Sequence, residues 1–190
     1  MAGDDGVGGD GLTGALAATP LGEALAADDL ARLAAAGRVH EAAAGEVLRR
    51  EGEAGGTLFV LLSGEVEVVK VNGGEERRLT ELGPGALLGE IGFLCGEAAT
   101  ATLRTRAPSR LFELPREVFL DLAAREDPAV MRLALALARV LARRLARMNE
   151  RAFELCEEQA RELERAGVPA ASARVRDLAA FRAQLGALKF

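Results

Sequence analysis

The chain has 190 residues, a formal net charge of −5, 49% hydrophobic residues and two cysteines. This length suffices for one domain with a buried core. The acidic balance does not favour electrostatic attraction to nucleic acid or to an anionic membrane surface. Two cysteines far apart in the chain favour a reduced, cytoplasmic compartment over a disulfide-stabilised secreted fold. The apolar runs are too short to span a bilayer, so no membrane insertion is expected.

The N-terminal region is predicted to hold a disordered tail and then a helix. Residues 1–14 begin with a run rich in glycine and aspartate, which lacks the basic and apolar parts of a signal peptide. Residues 21–36 have helical apolar spacing. Asp28 and Asp29 are candidate N-caps of this helix, and Gly37 is predicted to end it.

From residue 38 the apolar period changes from helical to alternating, which indicates short β-strands separated by glycine-rich turns. The predicted strands contain Val39 and residues 47–48, 57–62, 66–71, 77–82, 86–88, 98–105 and 111–114. In the strand over 66–71, valines interleave with Glu67 and Lys70, so one of its faces is solvated. Many short strands at this spacing are typical of a β-sandwich or barrel.

Residues 82–106, LGPGALLGEIGFLCGEAATATLRTR, contain the clearest chemical pattern of the chain. Glycine turns precede Glu90 and a short apolar helical segment, and a second turn follows at Gly96. The first N–H groups of such a helix lack intrahelical partners and attract a phosphate. Glu90 cannot bind phosphate, but its carboxylate can accept hydrogen bonds from a sugar hydroxyl.

This segment resembles the phosphate-binding cassette of the cyclic nucleotide-binding domain family, which includes the bacterial catabolite activator protein and the regulatory subunits of protein kinase A. The resemblance rests on Gly89-Glu90-Ile91-Gly92-Phe93-Leu94, on Gly96 and on residues 98–103, and it extends from about residue 21 to 150. It implies a mainly β fold with flanking helices. The expected fold is a β-roll, a double-stranded jelly-roll-like barrel, with an N-terminal helix and long C-terminal helices. It also implies cyclic AMP or cyclic GMP as the ligand, and no cofactor is expected.

The binding residues that the resemblance implies lie in the cassette and in the long C-terminal helix. They are Gly89, Glu90, Ile91, Gly92, Ala99, Thr100, Ala101, Met148 and Asn149. The chain departs from the family pattern where Ala98-Ala99 replace a Pro-Arg pair, whose arginine holds the cyclic phosphate in the family. A charge-assisted hydrogen bond contributes about 1.5–3 kcal/mol, so its loss weakens a micromolar ligand to about 10–100 µM or worse. Arg104 and Arg106 share one face of the next strand, and the sequence leaves open whether that face meets the pocket.

The C-terminal part is predicted to be helical. Pro115 opens a short helix over residues 116–124, and Asp127-Pro128 starts a long one. Its two apolar stripes are Val130, Leu133, Leu137, Val140 and Leu141, Leu145, Met148, Ala152, Leu155. The second has nearly the 3.5-residue repeat of paired helices. In the resembled family this helix closes the pocket and pairs two protomers in bacterial members, so a homodimer is expected. Two interpretations of Met148 and Asn149 remain open. Either both contact the base of the ligand, or Met148 packs between the paired helices and Asn149 faces solvent.

The predicted organisation is a tail over residues 1–14, a cyclic nucleotide-binding-like domain over 15–150 and a helical extension over 151–190. The extension includes one more amphipathic helix over residues 170–188. Only 40 residues follow Glu150, without a predicted strand pair, so the winged helix-turn-helix of the bacterial transcription factors and DNA binding are not expected.

No enzymatic chemistry is expected. A cupin metal site needs several histidines, whereas His40 is the single histidine and is interpreted as structural. The Gly-x-Ser-x-Gly hydrolase motif is absent from the sequence. Cys95 is expected to be a small packed residue. The sequence therefore predicts a non-enzymatic, ligand-sensing regulatory module. The alternative is a domain that has lost its ligand and acts as a dimerisation or protein-interaction scaffold.

Overall fold

The computed structural model describes residues 9–54 and 56–166. The chain forms two compact units, residues 1–137 and residues 138–190. Residues 1–8 of the predicted tail and the predicted helix over residues 170–188 lie outside the described residues.

The first unit combines N-terminal helices with eight strands. The helices are α1 (Gly9–Ala17) and α2 (Ala27–Ala36). The strands, with a short helix among them, are β1 (Arg38–Ala42), β2 (Val47–Arg49), β3 (Thr57–Ser63), β4 (Val66–Asn72), β5 (Glu75–Leu82), β6 (Leu87–Leu88), α3 (Glu90–Cys95), β7 (Thr102–Thr105) and β8 (Ser109–Pro115). Two helices follow, α4 (Arg116–Ala124) and α5 (Pro128–Arg165), of which α5 continues into the second unit.

The strands form two antiparallel sheets of four, in the orders β1-β8-β3-β6 and β2-β7-β4-β5. Alternate residues of the two sheets meet in one apolar core. The buried members of this core are Ala42, Phe59, Leu61, Val66, Leu88, Leu103 and Leu111. The expected mainly β fold with flanking helices is confirmed.

The opposite face of the first sheet is also buried, because α1, α2 and α4 lie against β3 and β8. Leu58, Val60 and Leu114 point to this side and are fully buried. Since the central strands are covered on both faces, their residues form a nearly continuous apolar run rather than an alternating one. The continuous apolar run is the pattern from which the sequence predicts a strand over residues 57–62.

The N-terminal region differs from the sequence-based expectation in two ways. The predicted disordered tail reached residue 14, but α1 begins at Gly9, since Leu12 and Leu16 are buried and fix it to the domain. The predicted helix from residue 21 instead begins at Ala27. Asp29 is not its N-cap: it lies in the first turn, where its Oδ2 accepts a hydrogen bond from Ala26 N at 3.2 Å.

His40 has a structural role in the first unit, as interpreted from the sequence. Its Nε2 lies 2.7 Å from Glu46 Oε1, and its Nδ1 lies 3.1 Å from Glu113 Oε1. Glu113 is buried, and its other oxygen accepts a hydrogen bond from Arg38 Nε at 2.7 Å. The hydrogen bond with His40 is the main cause that lowers the pKa of Glu46 below its ordinary value of 4.5. The imidazole thus connects β1 to β8 and to the β1–β2 turn.

Over residues 9–54 and 56–166, none of the helices is long and apolar enough to cross a bilayer. The same residues contain no group of three or more metal-ligating side chains arranged to hold an ion.

The second unit contains the larger part of α5, whose second apolar stripe is uncovered in this single chain. Leu145 is 59% exposed, Met148 is 63% exposed and Leu155 is 47% exposed. Arg151 Nη1 lies 2.9 Å from Glu154 Oε2, and Arg161 Nη2 lies 3.2 Å from Glu157 Oε2. The helix therefore combines an apolar stripe with ion pairs along its own surface.

Candidate functional site

The centre of the site is α3, a six-residue helix between two glycines in the left-handed region. Gly89 has φ 73° and Gly96 has φ 76°. Phe93 N donates to Gly89 O at 3.0 Å, and Gly96 N donates to Gly92 O at 2.9 Å. L side chains rarely adopt this backbone conformation, which explains glycine at both ends. The predicted succession of turn, short helix and loop is confirmed.

The first turn of α3 lies against the start of β3 through two close backbone approaches. A Cβ atom on Gly89 would lie 2.3 Å from Thr57 O. A Cβ atom on Gly56 would lie 2.5 Å from Gly92 O. Both distances exclude a side chain at Gly89 and at Gly56. Gly56 and Thr57, which are consecutive where the β2–β3 connection meets β3, therefore fix the position of α3. In the sequence Gly56 belongs to a glycine-rich turn, and this close approach is not visible there.

Glu90 is the first residue of α3 and is only 4% exposed, whereas Ile91 beside it is 37% exposed. A carboxylate at a helix N-terminus is favoured by the helix dipole and by the nearby amides. The N–H groups of Ile91 and Gly92 begin the helix and have no carbonyl one turn earlier within it. Main-chain donors and one buried acceptor thus occur within a single turn. The ligand contacts expected for these residues stay predictions.

Ala99, Thr100 and Ala101 lie in the loop between α3 and β7, because that strand begins at Thr102 and not at residue 98 as predicted. Ala99 N donates to Glu53 O at 2.9 Å, and Gly52 N donates to Ala99 O at 2.8 Å. These bonds join the loop to the β2–β3 connection and engage both main-chain polar groups of Ala99. Ala99 therefore offers a ligand neither a guanidinium nor its amide. Thr100 is exposed and Ala101 is half-buried.

Arg104 and Arg106 are bound to carboxylates. Arg104 Nε lies 2.7 Å from Glu67 Oε1, on the face of β7 opposite to the core residue Leu103. The hydrogen bond with Glu67 raises the pKa of the Arg104 guanidinium above its ordinary value. Arg106 forms an ion pair with Glu81. The face that the sequence left open therefore points away from the core, and these arginines do not take the place of the one missing at Ala99.

The helix α3 is connected to α4 by a ring contact and an arginine. Phe93 is fully buried, and its ring centroid lies 4.7 Å from that of Phe119. Arg116 Nε donates to Phe93 O at 3.0 Å, and its guanidinium lies 3.2 Å from the position of a Cβ on Gly96. A movement of α3 must displace the start of α4 or break these contacts. No sequence signal pointed to Arg116, because a single arginine after a proline has no distinctive spacing.

Three residues named from the sequence have other environments. Met148 and Asn149 are exposed residues of the second unit, and their contact with a base stays a prediction. Cys95 ends α3 and is exposed, so its interpretation as a packed residue was wrong. It follows Leu94, which is half-buried.

A separate cavity of about 280 Å³ lies in the first unit, outside the cassette. It is lined by Arg32, Leu33, Ala35, Ala36, Leu122, Asp127 and Ala129. The Arg32–Asp127 ion pair, at 3.3 Å, joins α2 to the residue before α5 beside it. None of the residues expected to bind ligand lines this cavity.

Comparison with known proteins agrees with this geometry. The family described as "Cyclic nucleotide-binding domain" matches residues 39–126. The chain is 34% identical over 96 residues to the cyclic AMP receptor protein of Thermus thermophilus, a match that covers 50% of this chain and 44% of the receptor. The chain therefore spans less than half the length of this curated relative.

Two solved structures show the same likeness. The regulatory domain of Toxoplasma gondii protein kinase A with cyclic AMP is 31% identical, with a TM-score of 0.55, over 63% of this chain and 46% of that one. The regulatory subunit of a cyclic AMP-independent protein kinase A from Trypanosoma cruzi, bound to guanosine, is 25% identical, with a TM-score of 0.55, over 69% of this chain and 50% of that one. With its two four-stranded sheets and its glycine-bounded α3, the chain belongs to the cyclic nucleotide-binding domain family.

Proposed function

We propose that this chain is a non-enzymatic regulatory module that binds a cyclic nucleotide, cyclic AMP or cyclic GMP, or a related nucleoside in its β-roll. The observation that carries this function is the form of α3. A helix start held by left-handed Gly89 combines main-chain donors with the buried carboxylate of Glu90. Phosphate is attracted to the donors, and a ribose hydroxyl can donate to the carboxylate.

Each end of the cassette has its own role in this binding. The amides of Ile91 and Gly92 hold the phosphate oxygens, and Glu90 accepts a hydrogen bond from the ribose. Thr100 is close in sequence to the missing arginine position and offers a hydroxyl. Ala99 contributes shape only, since its amide is bonded to Glu53 O. The absent guanidinium lowers the affinity by about 10- to 100-fold relative to a cassette that has it.

A nucleoside is the second ligand class, and one comparison favours it. The similar Trypanosoma cruzi subunit is described as independent of cyclic AMP and is bound to guanosine. A nucleoside retains the ribose that Glu90 would hold but has no phosphate to be neutralised. A site with an alanine at position 99 loses less affinity for such a ligand than for a cyclic nucleotide.

The bound ligand acts on the rest of the chain through α3 and α4. Phe93 contacts Phe119 and accepts a hydrogen bond from Arg116, so a shift of α3 is passed to α4. The signal then reaches α5 and a partner, which is either a protein or a second copy of the chain. Such a coupling exists only if the ligand binds the two arrangements of α3 with different affinity.

Calorimetric titration of the full chain tests this function. Cyclic AMP, cyclic GMP, adenosine and guanosine are each added, and at least one is expected to bind in the micromolar to millimolar range. Ala99→Arg is expected to tighten cyclic nucleotide binding about 10- to 100-fold and to leave nucleoside binding unchanged. Glu90→Gln is the matched variant, and it should weaken both classes. Absence of heat for all four ligands at millimolar concentration refutes ligand binding.

The alternative function is a scaffold without a ligand, favoured by the exposed stripe on α5. Leu145, Met148 and Leu155 are uncovered in a single chain, and their spacing suits a second helix. A homodimer through this stripe is compatible with either function. The two are separated by the titration: a scaffold dimerises without any ligand heat, and its association does not change when a nucleotide is added.

A further inference from the structure

The part of α5 that lies in the second unit has opposite charges in its two halves. Residues 138–151 contain five arginines and one glutamate, a net charge of +4. Residues 152–165 contain five glutamates and two arginines, a net charge of −3. The ion pairs described above lie within this helix and leave the net charge of each half unchanged. Each half is about 21 Å long, more than a Debye length of about 8–10 Å, so a partner helix meets two separate charges.

An uncovered row of side chains runs along both halves of this helix. Its members recur at alternating steps of four and three residues, which is the spacing of helices that pair along a seam. Every member is exposed in the single chain, and Leu145 is 59% and Leu163 40% exposed. The apolar members are Ala138, Ala142, Leu145, Ala152, Cys156 and Leu163, and the polar members are Asn149 and Gln159. The row starts with small residues in the basic half and ends with a large one in the acidic half.

Both patterns fit a second copy of the helix that runs in the opposite direction. In an antiparallel pair centred after Glu150, the basic half of each helix faces the acidic half of the other. The same register sets Ala138 opposite Leu163 and Leu145 opposite Cys156, so that each large side chain meets a small one. A parallel pair would instead set alanine against alanine. It would also hold halves of the same sign about 8–10 Å apart, where salt does not fully screen their repulsion.

We propose that α5 pairs with α5 of a second copy of this chain in the antiparallel direction, with residue 138 opposite residue 163. The uncovered row supplies the apolar contact, and the charges of the two halves select the direction and the register. The homodimer expected above had no assigned direction, and the charge pattern assigns one. This pairing does not depend on a ligand and therefore goes beyond the proposed function. It places Asn149 in the seam, opposite Ala152.

Disulfide trapping of the full chain tests the direction. All variants carry Cys95→Ser. One chain also carries Leu145→Cys with Cys156→Ser, and a second chain with a different affinity tag keeps Cys156. After mixing and oxidation, a disulfide between the two different chains is expected, because positions 145 and 156 face each other. Moving the new cysteine to the opposite helix face, with Arg147→Cys in place of Leu145→Cys, is the matched control and should give no mixed disulfide. Disulfides between like chains show parallel pairing and overturn the inference, as does a wild-type chain that sediments as a monomer.

Charge reversal in the acidic half gives a second, independent measurement. Glu158→Lys with Glu162→Lys changes two exposed residues and makes that half basic. In an antiparallel dimer this sets positive charge against positive charge, so the dissociation constant from sedimentation equilibrium should rise about 5- to 30-fold at low salt and less at high salt. Glu23→Lys with Glu75→Lys, two exposed positions of the first unit, changes the net charge equally and should have an effect within about twofold. In a parallel dimer the reversal in α5 would relieve repulsion, so tighter or unchanged association overturns the inference.

Discussion

The close approach of α3 to β3 predicts that Gly89→Ala destabilises the domain more than other glycine substitutions with the same backbone conformation. Gly89 and Gly73 both have positive φ, 73° and 64°. A Cβ on Gly73 would meet nothing within 4 Å, whereas one on Gly89 would lie 2.3 Å from Thr57 O. Gly73→Ala therefore measures backbone strain alone, and Gly89→Ala measures strain together with a steric clash.

The magnitudes follow from these two terms. Left-handed backbone costs alanine about 1–2 kcal/mol, offset by about 0.4–1 kcal/mol because alanine restricts the unfolded chain. Gly73→Ala should therefore lower the free energy of unfolding by about 1 kcal/mol. In Gly89→Ala the Cβ must move from 2.3 Å to at least 3.0 Å from a backbone oxygen, so α3 and β3 separate by about 0.7 Å. Overpacking of this kind adds about 1–3 kcal/mol, for a total loss of about 2–4 kcal/mol.

Urea unfolding followed by circular dichroism measures these differences, with the fitted slope used to check that the transition stays two-state. Gly56→Ala completes the series, because its Cβ would clash with Gly92 O at 2.5 Å without left-handed strain. It should fall between the other two variants. A Gly89→Ala variant as stable as Gly73→Ala would show that α3 is not held against β3 at this distance.

Three further predictions concern other contacts. Arg116→Met removes the hydrogen bond to Phe93 O. Backbone amides of residues 90–96 should therefore exchange hydrogen with solvent about 5- to 30-fold faster, as measured by mass spectrometry. Unchanged exchange contradicts the coupling of α3 to α4. Glu46 has a lowered pKa in the folded state, so its stabilisation is complete above pH 4.5 and is lost as the pH falls through the folded value. His40→Gln should therefore flatten the dependence of melting temperature on pH below 4.5, and an unchanged slope contradicts this origin. Leu145→Glu should shift sedimentation from dimer to monomer, whereas a wild-type chain that is monomeric at high concentration removes the expected dimer.

The fold was largely predictable because its signals are local. The apolar composition of residues 57–62 predicts a buried strand. Pro115 and Pro128 indicate where α4 and α5 begin. The glycines around α3 indicate its bounds, since a left-handed residue is needed there. The N-terminal helix α1 was harder to predict from the sequence. It is stabilised by the burial of Leu12 and Leu16 against other parts of the domain, and not by local signals.

The site was only partly predictable, because its main distances join residues far apart in sequence. The resemblance identified Glu90 and the loss of the arginine at Ala99. It gave no sign of Gly56 or of Arg116, whose contacts depend on how α3 packs against β3 and α4. Likewise, the outward direction of Arg104 required the register of β7 against β4, in which it faces Glu67.

The glycines at the ends of α3 and the glutamate in its first turn have different physical explanations. Gly89 and Gly96 are explained by the fold, since both have left-handed backbone and a Cβ on Gly89 would also lie 2.3 Å from Thr57 O. A domain without a ligand would need these glycines equally. Glu90 has a different explanation: its carboxylate is only 4% exposed in the first turn of α3, where the helix dipole favours a negative charge, and it is the acceptor that the proposed ribose contact needs. Glu90→Gln, which keeps the volume and removes the charge, therefore tests ligand binding, whereas substitutions of the two glycines test only the fold.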